Sequence, residues 1–469
     1  MERRGADPRT RIREIPQLLR TRLRDSIDSA ARFTPARLAL AVVTALIGVF
    51  TVLLSLPIAT TSGHRVPFVD ALFTTVSAIT VTGLVTVDTG ETWSTFGLVV
   101  IMITIKVGGL GVLTLASLLG LSVTRRMGLA QRIITASETR TERLAEVGGV
   151  LRTILITSTT FEALTFIALV PYMFIHEHDL GQSLFLGLFY AISAFNNAGF
   201  VPEAAGTAQY VGDPFFSIPI ATAVFTGALG FPAILVMVRK WRTPRKWSVH
   251  AKLTVCTSAI LLVAGWIGIG LMEWTNPATL GDQPLSTKLL ASGFAAVMPR
   301  SGGFSTLDVA AMTPETRLLT DLLMFIGGGS GSTGGGIKVT TFALLTLSIV
   351  AEVRGDQDVE VFHRRIPHET IRQAIGVLAL SSAVVLTATL LMLRLSPFSL
   401  DECLFEVLSG FGTVGLTTGI TSDLPTPAKY VIIAAMYVGR IGPMSLGAAL
   451  ALRETKRVVR LPLERPIVG

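Results

Sequence analysis

Gly329, Gly331 and Gly334 stand in a G-x-G-x-x-G spacing inside the stretch GGGSGSTGGGIK, Gly327 to Lys338. That spacing can cradle a pyrophosphate when it follows a strand, opens a helix and leads to a second strand ending in an acid about 20 residues on. Here the acid near that distance, Glu352, ends a continuous apolar run with no turn or second strand before it. Ile337 separates Gly336 from Lys338, so the Gly-Lys-Ser/Thr of a phosphate loop is also missing. Nucleotide chemistry is therefore disfavoured. What these residues can do is interrupt a helix. Gly327, Gly328, Gly329, Ser330, Gly331, Ser332, Thr333, Gly334, Gly335 and Gly336 lie between the apolar runs Leu319–Phe325 and Val339–Val350. Backbone groups freed by such a break need partners, and Ser330, Ser332 and Thr333 can supply some. The product is a flexible plug whose open and closed positions differ by little energy.

A second set of residues can hold a cation. Gly83-Leu84, Gly199-Phe200, Gly303-Phe304 and Gly415-Leu416 each come near the end of a short, largely apolar stretch. The stretches run from Pro67 to Thr86, Leu180 to Glu203, Leu285 to Asp308 and Phe398 to Gly419, at intervals close to a quarter of the chain. Repetition at a fixed period is a signal of architecture. A short helix entering a membrane from outside aims its partially negative C-terminal end at the middle. The turn after it can present backbone carbonyls to a desolvated cation. Glycine suits that turn because aligned carbonyls need a conformation closed to most residues with a Cβ. One glycine after one short helix is an ordinary C-cap; four at the same place in a repeat argue for more than capping.

Charges within apolar runs form the third set. Arg440, in YVGRIGPMSL, lies about a dozen residues from the cytosolic end of the last run, too deep for easy snorkelling. Glu162 lies inside the third run and is expected to pair with a neighbouring helix. Lys106 precedes Gly108-Gly109-Leu110-Gly111 and has two readings: an extra cation near an ion path, or the partner of Glu162. His176 and His178 fall on an acidic outer loop, where solvation is the simpler reading than metal binding. Cys256 and Cys403 fall in or beside membrane segments and suggest neither a disulfide nor a metal site.

The elements that must position these residues are membrane helices. Half of the 469 residues are apolar and 15% are charged, with a mean hydropathy of +0.60. Eight runs have spanning length: Leu38–Ile58, Phe96–Val123, Ile154–Ile175, Ile218–Val238, Leu253–Met272, Leu319–Val350, Ala374–Leu393 and Tyr430–Leu452. Basic residues collect before the first run and in alternate loops, around Arg125, Arg242, Arg364 and Arg457, while the other loops are acidic. The positive-inside rule then puts both termini in the cytosol. The net charge of +8 follows from this topology and calls for no nucleic acid. Arg and acidic residues run through the first thirty-five positions, unlike a cleaved signal peptide.

The expected fold is all-α and integral to the membrane. Its repeated unit is helix, pore helix, filter loop, helix (M1-P-M2). That gives eight transmembrane helices and four re-entrant pore helices around a central pore. Residues 1–36 form a basic cytosolic segment, and the repeats cover 37–130, 131–247, 248–365 and 366–469, the last with a short cytosolic C-terminus.

The ordered set TVTGL (Thr80–Leu84), FNNAGF (Phe195–Phe200), PRSGGF (Pro299–Phe304), FGTVGLT (Phe411–Thr417), GGLG, GGGSGSTGGGIK and the segment around Arg440 resembles the Trk/Ktr/HKT superfamily of potassium transporters. It is most similar to the KtrB-type subunit, over about residues 37 to 455. The resemblance implies inward potassium transport without covalent chemistry. It implies a filter of Thr80, Val81, Thr82 and Gly83; Asn196, Asn197, Ala198 and Gly199; Arg300, Ser301, Gly302 and Gly303; Gly412, Thr413, Val414 and Gly415. Glycine in all four loops goes with potassium selectivity in that superfamily, and Ser in the first with sodium. The resemblance also makes Gly327–Gly336 an intramembrane gate, with Lys338 at its end and Arg440 as electrostatic barrier and anchor. Lys106 departs from the uncharged polar residue common there. Asn196 and Asn197 make the second loop more polar than the first and fourth.

By the same resemblance the chain is a homodimer in the lipid of the plasma membrane, carrying a KtrA-like octameric ring that binds nucleotide in the cytosol. Arg125–Glu146, Arg354–Arg372 and the C-terminus are its docking surfaces. Potassium is the cargo, sodium an activator, and no organic cofactor belongs to this chain. Three rivals stand beside this reading: a Trk-type or sodium-permeable relative, a nucleotide-binding membrane oxidoreductase, and an inverted-repeat transporter. The last is disfavoured because every repeat has the same orientation.

Overall fold

The computed structural model describes residues 35–110 and 142–442. The Arg-rich first segment, the loop from Arg125 to residue 141, the C-terminal segment beyond Gly442 and the far ends of the second and eighth apolar runs lie outside the described residues. The regular elements of the described part are helices apart from one two-stranded hairpin and isolated bridges.

In chain order the helices are α1 (Pro35–Leu54), α2 (Phe68–Thr80), α3 (Thr95–Gly109), α4 (Glu142–Glu177), α5 (Leu180–Phe195), α6 (Pro214–Leu229) and α7 (Phe231–Arg239). They continue with α8 (Val249–Glu273), α9 (Leu285–Val297), α10 (Pro314–Phe325), α11 (Val339–Arg354), α12 (His368–Leu395), α13 (Leu400–Gly412) and α14 (Thr426–Ile441). Between α11 and α12, strands β1 (Glu360–Val361) and β2 (Arg364–Arg365) pair antiparallel.

Among the described residues three helices are long and apolar enough to cross a membrane, in α4, α8 and α12. The pair α6 and α7 makes a fourth if taken as one span, bent by 101°. The other expected spans fall short for visible reasons. Side chains of α1 are described only from Leu40, α3 and α14 run to the edge of the described residues, and the glycine run splits the sixth into α10 and α11.

The helices α2, α5, α9 and α13 are too short to span: a helix of 13 residues, such as α2, rises only about 20 Å. Their starts are fixed locally. Asp179 accepts from the Gly181 and Gln182 N–H groups at the head of α5. Ser399 and Glu402 form a reciprocal capping box on α13. Pro67 and Pro284 precede α2 and α9.

Packing arranges these four helices in a ring. α2 lies against α1 and α3, α5 against α4 and α6, α9 against α8, and α13 against α12 and α14. Each also touches a helix of the preceding unit: α3 packs on α5, α6 on α9 and α10 on α13, and α14 returns to pack on α2. Phe73, Tyr190, Phe195, Phe304, Phe405 and Phe411 fill one continuous apolar core at the centre. Ile167, Ile260, Leu271 and Leu386 are exposed on the outside, as suits a chain whose solvent is hydrocarbon.

Candidate functional site

The loops that follow the four short helices share one backbone pattern. Val81, Asn197, Ser301 and Thr413 have φ of 52°, 60°, 67° and 48°, all in the left-handed region. Two residues later Gly83, Gly199, Gly303 and Gly415 have φ of 93°, 65°, 75° and 94°. Two positive-φ positions per loop turn an extended segment so that successive carbonyls can share a side.

The loops also meet one another in chain order. A Cβ on Gly83 would strike the Ala198 carbonyl oxygen, and one on Gly199 would come within 2.7 Å of the Gly303 Cα. On Gly303 it would lie 2.6 Å from the Val414 oxygen, and on Gly415 it would strike the Thr82 oxygen. The fourth loop thus touches the first, and the ring is closed. Thr80, Thr82, Ala198, Ser301, Thr413 and Val414 are wholly buried in it. Arg300 and Asn196 are buried beside it, and Gly302 packs on Met298 and Val224.

Sequence reasoning missed a set of supporting serines. The Gly83 N–H donates to Ser77 Oγ at 3.0 Å, and the Gly415 N–H donates to Ser409 Oγ at 3.1 Å. Ser193 holds the same place in the second unit and donates to the Phe200 carbonyl at 2.9 Å. Each lies six residues before its loop glycine, a spacing visible in SAITVTG, SAFNNAG and SGFGTVG; the third unit has Val297 there. Ser77→Ala leaves a buried N–H without its partner, which costs about 1–3 kcal/mol. The purified chain in detergent is expected to lose thermal stability accordingly in Ser77→Ala and Ser409→Ala, and a melting midpoint matching wild type in both would remove this role.

Carboxylates brace the outer side of the ring. Asp70 accepts from Thr86 Oγ1 at 2.8 Å and from Lys429 Nζ at 2.7 Å, joining the first unit to the last helix. Glu406 is wholly buried and accepts from the Thr417 hydroxyl, from Thr421 at 2.9 Å and from the Thr418 N–H at 3.2 Å. Glu203 accepts from Tyr190 at 2.5 Å and Tyr210 at 2.8 Å. Burial, reinforced by Glu203, pushes the Tyr210 phenol well above its ordinary value, so it stays a donor.

The glycine run Gly327–Gly336 sits directly against this ring. Its ends are tied by the Ile326–Ile337 bridge, with the Gly327 N–H donating to the Ile337 carbonyl at 2.8 Å. Three consecutive residues touch three of the left-handed positions. Thr333 Oγ1 donates to Asn197 Oδ1 at 2.8 Å, Gly334 abuts Ser301, and the Gly335 N–H donates to Thr413 Oγ1 at 2.8 Å. Lys338 Nζ closes on the Gly334 carbonyl at 2.6 Å. Arg440 donates to the Thr333 carbonyl and, at 2.5 Å, to the Gly108 carbonyl at the end of α3. The G-x-G-x-x-G therefore follows helix α10, not a strand.

The fourth apolar run keeps its spanning length, but as a bent pair of helices. It breaks at Gly230, φ 88°, with Pro232 opening α7; the pair Gly230 and Pro232 was the signal. That break supplies the partners that Ser330 and Ser332 were expected to provide. Gly329 N–H donates to the Ala228 carbonyl at 2.7 Å, Phe231 N–H to Gly331 at 3.2 Å, and Thr333 N–H to Gly227 at 3.5 Å. Among the described residues Ser332 Oγ itself has no hydrogen-bond partner.

Lys106 and Glu162, two readings in the sequence, form an ion pair at 2.6 Å. Cys256 and Cys403 are both unpaired. Among the described residues no group of His, Cys, Asp and Glu is arranged to hold a metal. The arrangement gathers backbone oxygens that can face a bare cation, with the glycine run packed against the loops that carry them.

Residues 26–456 match the family described as TrkH, cation transport protein. The chain is 38% identical over 440 residues to the Ktr system potassium uptake protein B of Bacillus subtilis, covering 93% of this chain and 97% of that one. It is 35% identical to the Ktr system potassium uptake protein B of Vibrio alginolyticus, covering 89% and 91%. It is 32% identical to the potassium/sodium uptake protein NtpJ of Enterococcus hirae, covering 86% and 90%. Its fold matches the crystal structure of the potassium transporter TrkH from Vibrio parahaemolyticus with a TM-score of 0.68, at 18% identity over 87% of this chain and 84% of that one.

Proposed function

The chain belongs to the TrkH family of cation transport proteins, and from that membership we propose that it is the potassium-translocating membrane subunit of a Ktr-type uptake system. It is a transport protein and not an enzyme. The observation that carries the reading is the closed ring of four loops, each with a left-handed residue and a positive-φ glycine. The relatives from Bacillus subtilis and Vibrio alginolyticus, which share about nine-tenths of its length, are named for potassium uptake.

In this reading the four loops are the selectivity filter. Thr80–Gly83, Asn196–Gly199, Arg300–Gly303 and Gly412–Gly415 replace the hydration shell of potassium with carbonyl oxygens. The units 37–130, 131–247, 248–365 and 366–469 are four M1-P-M2 repeats around the pore, with eight spans and four re-entrant helices. Gly327–Gly336 is the gate, pinned by Arg440 and Lys338.

The chain lies in the plasma membrane with both termini cytosolic, as a homodimer in lipid. The relatives from Bacillus subtilis and Vibrio alginolyticus are named as proteins of a Ktr system, and the regulator proposed here is a cytosolic nucleotide-binding ring. The hairpin Glu360–Arg365, where Phe362 is exposed and Arg365 pairs with Asp358 at 2.7 Å, falls in the proposed docking segment Arg354–Arg372. Sodium as activator and the absence of an organic cofactor belong to the same proposal.

The test is potassium-limited growth of a cell stripped of its own uptake systems, with flux of potassium and sodium measured side by side. Rescue at low potassium with a potassium preference is expected. Equal uptake of both ions would favour the sodium-permeable reading, for which the potassium/sodium name of the Enterococcus hirae relative is the supporting observation. No rescue by a chain that reaches the membrane together with its regulator would sink the proposal.

A further inference from the structure

Lys106 on α3 and Glu162 in the middle of α4 do more than neutralise each other. Glu162 is nine-tenths buried and Lys106 about three-quarters buried. Lys106 Nζ donates to both carboxylate oxygens at 2.6 Å and to Ser158 Oγ at 2.7 Å. Ser158 donates to Glu162 Oε1 at 2.9 Å. The same Oε1 accepts from Asn196 Nδ2 at 2.7 Å. Asn196 is the first residue of the second loop, and its other amide hydrogen is directed to the Ile192 carbonyl at 2.8 Å. Gly109 leaves room for this side chain, since a Cβ there would collide with Asn196 Oδ1.

From Asn196 the hydrogen bonds continue around a circuit. Neighbouring Asn197 holds Thr333 of the glycine run, Thr333 accepts from Arg440, and Arg440 donates to Gly108, two residues along α3 from Lys106. The circuit joins the first, second, third and fourth units through one ion pair and one loop.

We propose that Glu162, charge-compensated by Lys106, is a positioning residue for the second filter loop, setting the orientation of Asn196 and through it the potassium preference of the ring. This rests on the transport reading above. A carboxylate is the group that can accept from Lys106, Ser158 and Asn196 at once; charged acceptors make the stronger hydrogen bonds. Alone at that depth it would be a costly buried charge, and Lys106 removes that cost. The lysine is thus required by the glutamate rather than by the ion path.

The test uses the full chain in liposomes, with potassium and sodium flux and the thermal midpoint measured for each variant. Glu162→Gln replaces Oε2, whose partner is Lys106, with an amide donor, and leaves Asn196 a neutral acceptor in place of a charged one. Its potassium-to-sodium flux ratio is expected to fall about five- to thirty-fold, the scale of exchanging a charged acceptor for a neutral one. The double variant Lys106→Glu/Glu162→Lys keeps an ion pair but turns donors toward Asn196. It is expected to recover the thermal midpoint and not the ratio.

Recovery of both would make the pair a structural tether only and overturn the proposal, as would an unchanged ratio in Glu162→Gln. Should that variant fail to fold, Asn196→Ala keeps the pair and is expected to show the same fall in ratio; a wild-type ratio there overturns the proposal. A wild-type chain with no potassium preference would instead defeat the potassium-selective reading on which the proposal rests.

Discussion

Deleting Ser330, Gly331 and Ser332 is expected to raise potassium flux several-fold while leaving the preference for potassium over sodium in place. The deleted residues form the tip of the glycine run, where Ser330 and Gly331 are exposed. Without them Thr333 no longer reaches Asn197 and Arg440 while the Ile326–Ile337 bridge holds the ends. The ring of loops makes its own contacts, so selectivity persists. Arg440→Ala is expected to raise flux as well. A unit positive charge about 4 Å from a passing cation costs on the order of 4 kcal/mol at an effective dielectric near 20. Screening by the two carbonyls it binds lowers that figure and still leaves a several-fold effect.

The combination discriminates. Arg440 acts partly by holding Thr333, so the double variant is expected to gain less than the product of the single gains, as groups in one network do. The measurement is ion flux in liposomes at matched protein content. A lower flux in the deletion, with the protein intact in the membrane, would make the glycine run a hinge or docking element and not a plug.

The second large effect is expected at Gly83→Ser. Gly83 has φ of 93°, a conformation costing a residue with a side chain about 1–3 kcal/mol. The new Cβ would also strike the Ala198 carbonyl oxygen, displacing one of the oxygens proposed to face the ion. The potassium-to-sodium ratio is therefore expected to fall about ten-fold or more, since about 1.4 kcal/mol corresponds to a factor of ten. Gly63→Ser is the control. Gly63 also has positive φ, 69°, but a Cβ there meets nothing within 4 Å. It tests strain without collision, and its ratio is expected to match wild type. Identical ratios in Gly83→Ser and wild type would exclude Gly83 from the filter.

Much of this site could be read from residues alone, and the reason is chemical. A positive-φ turn at a crowded axis selects glycine, so Gly83, Gly199, Gly303 and Gly415 marked themselves. The glycine run marked the break between α10 and α11 in the same way. The left-handed residue two places earlier left no such mark. Val81 takes φ of 52° despite a β-branched side chain that disfavours it; burial and the Thr82 N–H bond to the Ser77 carbonyl hold it there. Nor could the sequence choose between the two readings of Lys106, because pairing with Glu162 depends on the fold bringing together two residues 56 positions apart. The bend at Gly230 went unread because the apolar run continues through it. Hydropathy records what a segment is made of and not the direction it takes.

The closure of the ring between Gly415 and Gly83 has a consequence for how the protein is made. These residues come from opposite ends of the chain, and the same seam carries the Lys429–Asp70 pair, whose members are 359 positions apart. A chain synthesised from its N-terminus therefore holds three loops of the ring in the bilayer before the fourth exists. During that interval Thr82 and Gly83 lack the close packing of Gly415, and Asp70 waits without its lysine. Insertion of α13 and α14 is the event that relieves both. The late, long-range contact makes assembly close to all-or-none: a chain lacking its last quarter is left with an open seam, and not with three-quarters of a pore.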